Sequence, residues 1–408
     1  MDKKRIIFAI LFIIVTILLG YLMYRVFFAK KTPKPPTPQT QEQLPGGQFP
    51  IIGEGGQPGQ IVTGTIQLPT AGFVPPQTPA LPPPPAQTPL VQKLANDIVV
   101  SPAADSFGGA KFYNAQDGKF YRLLPDGTLA LLSDDVFFGV ENVSWSPKTE
   151  EAIIEYPDGA NIYFDFETKK QVTLPKHWEN FSFSPTATKI AAKSIGLSPE
   201  TRWLITADPQ GNNITLVEPM GQNADKVDVN WSPNQQIVAT SLTGKPMGGN
   251  REQVLMIGLH GEVFKAIIAE GQFLDSAWSK TGEKLLFSSY STASDYKPEL
   301  WISNAAGDLI GTGRKPLGLN TWAEKCTFAD DRFVYCAVPK TLPTGSGFEQ
   351  SLADAIEDDL YKIDTQTGIK SKLLLEEGHV IDTILVNGDT DALYFTDKNQ
   401  KGIFTIAL

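Results

Sequence analysis

The sequence is poor in the residues that most often carry chemistry. Two cysteines in 408 residues, Cys326 and Cys336, are too few for a scaffold built on disulfides. There are only three histidines, His177, His260 and His379. No H-E-x-x-H, P-loop, G-x-S-x-G or sialidase-type S-x-D-x-G-x-x-W motif occurs. Gly345-Ser346-Gly347 is too short for a nucleophile elbow and reads as a flexible loop. Basic charge is scarce beyond the N-terminus. Residues 1–34 carry seven basic side chains against Asp2, a net of +6, while the whole chain is −10, which leaves −16 for residues 35–408. Such an acidic body lacks the basic face that nucleic-acid binding needs. No catalytic residue, cofactor or metal site is therefore expected.

One long apolar run is present. Ile6 to Tyr24 holds nineteen uncharged residues, and at ~1.5 Å per residue it spans about the 30 Å core of a bilayer. Tyr21 and Tyr24 suit the interface, and Arg25 can snorkel to headgroups. The reading is a membrane anchor over residues 1–31, with a transmembrane helix over about 6–28. A cleaved signal peptide is the rival, but Val26-Phe27-Phe28-Ala29 is a poor cleavage site. Lys3, Lys4 and Arg5 favour a cytoplasmic N-terminus, although Arg25, Lys30 and Lys31 flank the other end. The C-terminal part is then extracytoplasmic. Residues 32–89 contain sixteen of the 31 prolines, with much Gln, Thr and Gly. Such a segment cannot form a packed core and reads as a disordered, semi-stiff linker. Residues 59–68 are its one strand-like stretch.

Beyond the linker the sequence repeats. Val143-Ser144-Trp145-Ser146-Pro147 returns as Phe181-Ser182-Phe183-Ser184-Pro185, as Val229-Asn230-Trp231-Ser232-Pro233 and as Ser276-Ala277-Trp278-Ser279-Lys280. Weaker copies are Cys326–Asp330, Ile98–Pro102 and Thr383–Asn387. Anchors near 100, 145, 183, 231, 278, 328 and 385 are about one four-stranded propeller blade apart. After each anchor come a polar turn and β-rich runs such as Glu151–Glu155 and Lys284–Phe287. Apolar and polar alternation predicts half-buried strands. The large aromatic can wedge between neighbouring sheets, and Ser-Pro stops the strand.

The pattern W-S-P-x-x-x-x-I-A/L followed by E-L-W-I-x-N-A-x-G, best copied in Ala277 to Gly307, resembles the TolB-like propeller repeats, relatives of WD-type blades. The resemblance covers about residues 90–408. It implies an all-β, seven-bladed β-propeller, with six blades as the alternative, and leaves the ligand unstated. The α/β domain of TolB itself is missing, so the role of TolB does not carry over. The seventh unit holds three strands, and residues 90–94 match a fourth-strand position. They are expected to pair with Ile403–Ile406 and close the ring. The three histidines fall in different units, so a shared metal site is not expected. Asp330-Asp331 and Glu357-Asp358-Asp359 read as ordinary acidic turns rather than Ca²⁺ sites. If the hairpin of the sixth unit is centred on Asp331, Cys326 and Cys336 face each other, either as a disulfide or as two buried thiols.

In a propeller, second-to-third-strand connections share a face with the connections between blades. The long insertions Leu242–Glu252, Tyr290–Pro298 and Val338–Glu357 all fall there, and Ser351 is expected to cap a short helix in the last. Candidate contacts for an unidentified protein or peptide partner are Lys245, Met247, Arg251, Tyr290, Tyr296, Trp322 and Phe348. The expectation is a binding or scaffolding module of the cell envelope, attached to the membrane through residues 6–28. The alternatives are a hydrolase or lyase using the channel and a structural spacer of a surface assembly. Alkaline carbonate should leave the full chain in the membrane and release a chain that lacks residues 1–31. Release of both would overturn the anchor.

Overall fold

A computed structural model describes residues 91–408 apart from 246, 249, 263 and 388–391. The proposed anchor (6–28) and the linker (32–89) lie outside the described residues. Among the described residues no helix is long and apolar enough to cross a membrane. Strand β1 (Gln92–Lys93) comes first. Blade 1 is β2 (Val99–Ala104), β3 (Ala110–Asn114), β4 (Lys119–Leu123) and β5 (Leu129–Leu131). Blade 2 is β6 (Asn142–Trp145), β7 (Glu151–Glu155), β8 (Asn161–Asp165) and β9 (Lys170–Leu174). Blade 3 is β10 (Trp178–Phe183), β11 (Ile190–Ile195), β12 (Arg202–Ala207) and β13 (Thr215–Pro219). Blade 4 is β14 (Val227–Val229), β15 (Ile237–Ser241), β16 (Glu252–Gly258) and β17 (Ile267–Ala269). Blade 5 is β18 (Gln272–Trp278), β19 (Lys284–Tyr290), β20 (Glu299–Asn304) and β21 (Lys315–Pro316). Blade 6 is β22 (Cys326–Phe328), β23 (Phe333–Pro339), β24 (Asp358–Asp364) and β25 (Lys370–Leu373). Blade 7 takes β26 (Ile381–Asn387), β27 (Ala392–Asp397) and β28 (Ile403–Ala407) from one end and β1 from the other.

The chain is thus a seven-bladed propeller of antiparallel four-stranded sheets. The seven repeat anchors fall in or beside the first strands, which lie against one another around the ring. The ring closes as the sequence suggested. Gln92 pairs with Thr405 and Lys93 with Phe404, and the Leu94 N–H donates to the Ile403 carbonyl at 2.8 Å.

The hydrophobic core lies between blades. One buried cluster fills each junction, from blades 1 and 2 (Phe120, Ile154, Phe164) to blades 7 and 1 (Phe112, Leu123, Tyr394, Ile403). Middle strands bury both faces. Ile153 packs toward blade 3 and Ile154 toward blade 1. Leu285 and Phe287 face blade 4, whereas Leu286 faces blade 6. This corrects the half-buried reading: the runs Ala152-Ile153-Ile154 and Leu285-Leu286-Phe287 are continuous because neither face meets water.

The serine of the repeat does more than the proline. Ser184, Ser232 and Ser279 are buried, and each hydroxyl accepts the backbone N–H five residues on, at 3.1, 2.9 and 3.1 Å. This closes the turn between the first two strands. Lys280 stands where the other three strong copies have proline, and the turn is closed in the same way as in the copies at Ser184 and Ser232. Two of the three repeat tryptophans bond back to the preceding blade, the Trp145 indole N–H to the Ser101 carbonyl at 2.7 Å and that of Trp278 to the Asn230 carbonyl at 3.1 Å.

Cys326 and Cys336 are direct partners across β22 and β23 and form a disulfide, with Cα atoms 4.1 Å apart. It is buried at the junction of blades 5 and 6. At the next junction Lys325 donates to both Asp358 oxygens at 2.8 Å, and Asp358 also accepts the Ile381 N–H at 2.7 Å. Burial pushes the Asp358 carboxyl above its ordinary range, and Lys325 offsets part of that cost.

A chain beginning at Ile98 lacks β1 and should be less stable than one beginning at Ala86 by about 2–4 kcal/mol, the worth of a few backbone hydrogen bonds and two or three half-buried side chains. Chemical denaturation followed by tryptophan fluorescence measures the gap. Equal stability would show that β1 does not hold the ring.

Candidate cleft between blades 4, 5 and 6

Three long loops meet on one face of the ring. They join β15 to β16, β19 to β20 and β23 to β24, the second-to-third-strand connections of blades 4, 5 and 6. Together they wall a cleft of about 640 Å³, within the range of ligand sites. Five of the seven expected residues line it: Lys245, Arg251, Tyr290, Tyr296 and Phe348.

The aromatic wall comes from two blades. Tyr290 ends β19, Tyr296 lies in the loop that follows, and Phe348 belongs to blade 6. The ring centroids are 5.9 Å apart for Tyr290 and Phe348, 5.8 Å for Tyr296 and Phe348, and 6.5 Å for the two tyrosines. Phe348 is 63% exposed and presents its ring to the cleft beside the two tyrosines.

The wall is stapled rather than loose. A short 3-10 turn, Thr292–Ser294, is held by a capping box on Ser291. Asp295 and Tyr296 then both take left-handed backbone angles, φ 54° and 55°, which cost energy for residues with a Cβ. Backbone bonds hold them there. The Tyr296 N–H donates to Ser291 O at 2.9 Å, and Gly345 and Gly347 donate to Asp295 O and Tyr296 O at 3.2 and 2.7 Å. A Cβ on Gly347 would lie 2.6 Å from Tyr290 Cβ, so only glycine permits this approach of the two loops. The stretch read as a flexible loop is therefore a close-packed one.

The cleft is also lined by basic side chains. Lys226, Lys245 and Arg251 are exposed and stand against one carboxylate, Glu252. The ammonium groups of Lys226 and Lys245 make no hydrogen bond or ion pair among the described residues. Arg251 donates Nε–H to Gly248 O at 3.0 Å. Glu252 accepts the Phe273 N–H at 2.9 Å, and the Tyr290 hydroxyl donates to Gln272 Oε1. Burial, with Glu252 nearby, raises the Tyr290 hydroxyl above its ordinary range.

Two expected contacts fall elsewhere. Trp322 is only 3% exposed. It sits where the chain turns inward to begin β22, beside Thr321, whose hydroxyl donates to Ala337 O, so it is a core residue. Met247 is exposed on the loop tip, bridged to Arg251, and does not line the cleft. Ser351 is not a cap; the turn Gln350–Ala353 starts after Glu349 without a side-chain cap. Lys226, Glu252 and Gln272 were not singled out from sequence. Lys226 lies in the connection between blades 3 and 4 and reaches this cleft only through the ring.

The acidic turns are occupied from within. Asp330 accepts the Arg332 and Phe333 N–H groups, Asp331 the Thr281 N–H, and Asp359 pairs with Lys372 at 2.7 Å. His379 is buried and bonded to Asp397 at 2.9 Å. Among the described residues no group of three His, Cys, Asp or Glu is placed to hold a metal.

No family model matches the chain, and no curated protein matches it. Similar solved structures share the fold. The chain is similar to the β-propeller domain of Swd1 from Myceliophteria thermophila at 12% identity and TM-score 0.53, over 78% of this chain and 100% of that one. It is similar to an oligogalacturonate lyase in complex with manganese at 15% identity and TM-score 0.54, over 79% and 94%. The tricorn protease matches at 9% identity and TM-score 0.51, over 79% of this chain but 34% of that protein. This chain thus spans about a third of the tricorn protease's length. All three are propellers at identities that establish architecture alone.

On β18, Asp275 has its carboxyl pushed up to about 7 by burial, with Glu324 close by. Its oxygens accept the Glu324 N–H at 2.7 Å and the Ser288 hydroxyl. In the unfolded chain this group ionises near its ordinary pKa of 3.8, and in the fold only near 7. The fold therefore loses stability as pH rises through that window, and the loss is complete above it. Asp275→Asn should remove this slope. The variant should gain melting temperature over the parent between pH 4 and 7, about the two values just given. A pH-independent gap would refute the assignment.

Proposed function

We propose that this chain is a membrane-anchored, extracytoplasmic, TolB-like propeller that docks a protein or peptide partner in the cleft between blades 4, 5 and 6. The observation that carries this reading is the convergence of three insertions into one aromatic and basic cleft on a rigid ring. Loops on a scaffold are where binding concentrates, and exposed Tyr, Phe and Arg are the side chains that anchor interfaces. Main-chain bonds from Gly345 and Gly347 hold Asp295 and Tyr296 in left-handed conformations, which fixes the aromatic wall in place. The disulfide supports an oxidising compartment outside the cytoplasm, where the anchor and linker would hold the ring clear of the bilayer.

A hydrolase or lyase is the second reading, and the raised carboxyl of Asp275 is the observation in its favour. That carboxyl is already engaged by two donors within the fold, so the docking reading is preferred.

A photo-reactive residue at Phe348 tests it in native membranes. Leu309, 62% exposed on the connection between β20 and β21, serves as the control on the other face. Irradiation should give a discrete adduct from position 348, weakened by Lys245→Glu, and none from position 309. Equal labelling at both sites would refute a dedicated docking face.

A further inference from the structure

The charge and shape of the cleft narrow what it takes. We infer that its ligand is an acidic peptide segment, with one apolar side chain seated among Tyr290, Tyr296 and Phe348 and flanking carboxylates on Lys226, Lys245 and Arg251. This inference rests on the docking reading above.

Charge is the first argument. Residues 35–408 carry a net −16, yet the charged side chains of the cleft are three cations and one anion. An acidic segment is repelled by the body and attracted here, which gives both steering and selectivity. Neither Lys226 nor Lys245 has an anionic partner among the described residues. A carboxylate ligand would supply one at little desolvation cost, because both ammonium groups are exposed.

Shape is the second. The three rings are tilted against one another by 54°, 61° and 72°. Such a trio forms a socket for a bulky apolar side chain, which can meet ring edges and faces together. It does not present the single flat platform on which a sugar ring stacks. The third argument is the supply of donors. The Oε1 atoms of Gln253 and Gln272 accept from Lys245 N–H and the Tyr290 hydroxyl. Their amide NH₂ groups make no hydrogen bond among the described residues. They can donate to backbone carbonyls of an extended peptide, which lie at regular intervals along it.

The test uses the full chain in detergent micelles and a fluorescein-labelled Asp-Glu-Phe-Glu-Asp peptide, read by anisotropy. The peptide should bind, and added salt should weaken it. Lys245→Glu with Arg251→Glu, and separately Phe348→Ser, should each weaken binding tenfold or more, about 1.4 kcal/mol. All three positions are exposed, and an unchanged melting temperature confirms folding. Replacing the peptide's Phe by Gly should weaken it similarly. Comparable binding of a Lys-Arg-Phe-Arg-Lys or a neutral proline-rich peptide would overturn the inference. So would indifference to the charge reversals, or stronger competition by a galacturonate oligomer. If no peptide binds while position 348 still cross-links, the acidic ligand is wrong and the docking reading stands. Loss of both results would remove both.

Discussion

Backbone pairing of Gln92 with Thr405 and of Lys93 with Phe404 turns seven sheets into a ring. Every blade buries both faces against its neighbours, so no sheet is complete alone. A row of sheets would leave two apolar faces and the edge of β28 open to water. Borrowing β1 from the other end of the described chain removes that edge. It also clamps the cluster of Phe112, Leu123, Tyr394 and Ile403, where the first blade meets the last. The geometry of the cleft follows, because the loops of blades 4, 5 and 6 keep their spacing only while the circle holds.

The repeat was readable from sequence because its physics is local. A buried serine hydroxyl satisfying an N–H five residues on depends on spacing alone. The same locality made the β22–β23 hairpin, and so the facing cysteines, predictable. Ring closure was readable for a different reason, a missing strand at one end and a spare one at the other. What failed were inferences about neighbours far apart in sequence. Trp322 lies in an inter-blade connection, yet the descent into β22 buries it. Lys226 carries no signal until the ring brings it beside Lys245. Ala152-Ile153-Ile154 breaks the expected alternation because a second sheet covers its other face.

The cleft joins two kinds of wall that different parts of the fold hold in place. Its aromatic side is fixed by main-chain bonds between the loops of blades 5 and 6 and by the absence of a side chain at Gly347. Its basic side rests on exposed cations, of which Lys226 and Lys245 have no partner for their ammonium groups among the described residues. The first is preorganised, so a partner need not spend binding energy ordering it. The second is adaptable and acts at a distance, limited by the screening length of the medium. Shape and charge can therefore be altered separately without disturbing the ring.

The circular closure also has a meaning in time. β28 leaves the ribosome roughly 310 residues after β1. At about 5–20 residues per second, that is on the order of 15–60 s during which β1 has no partner. Blades 1 to 6 can form in order meanwhile, each covering one face of the one before. The ring itself can be sealed only after β28 has been made, so the circle is the last part of the fold to form although most of its blades form earlier.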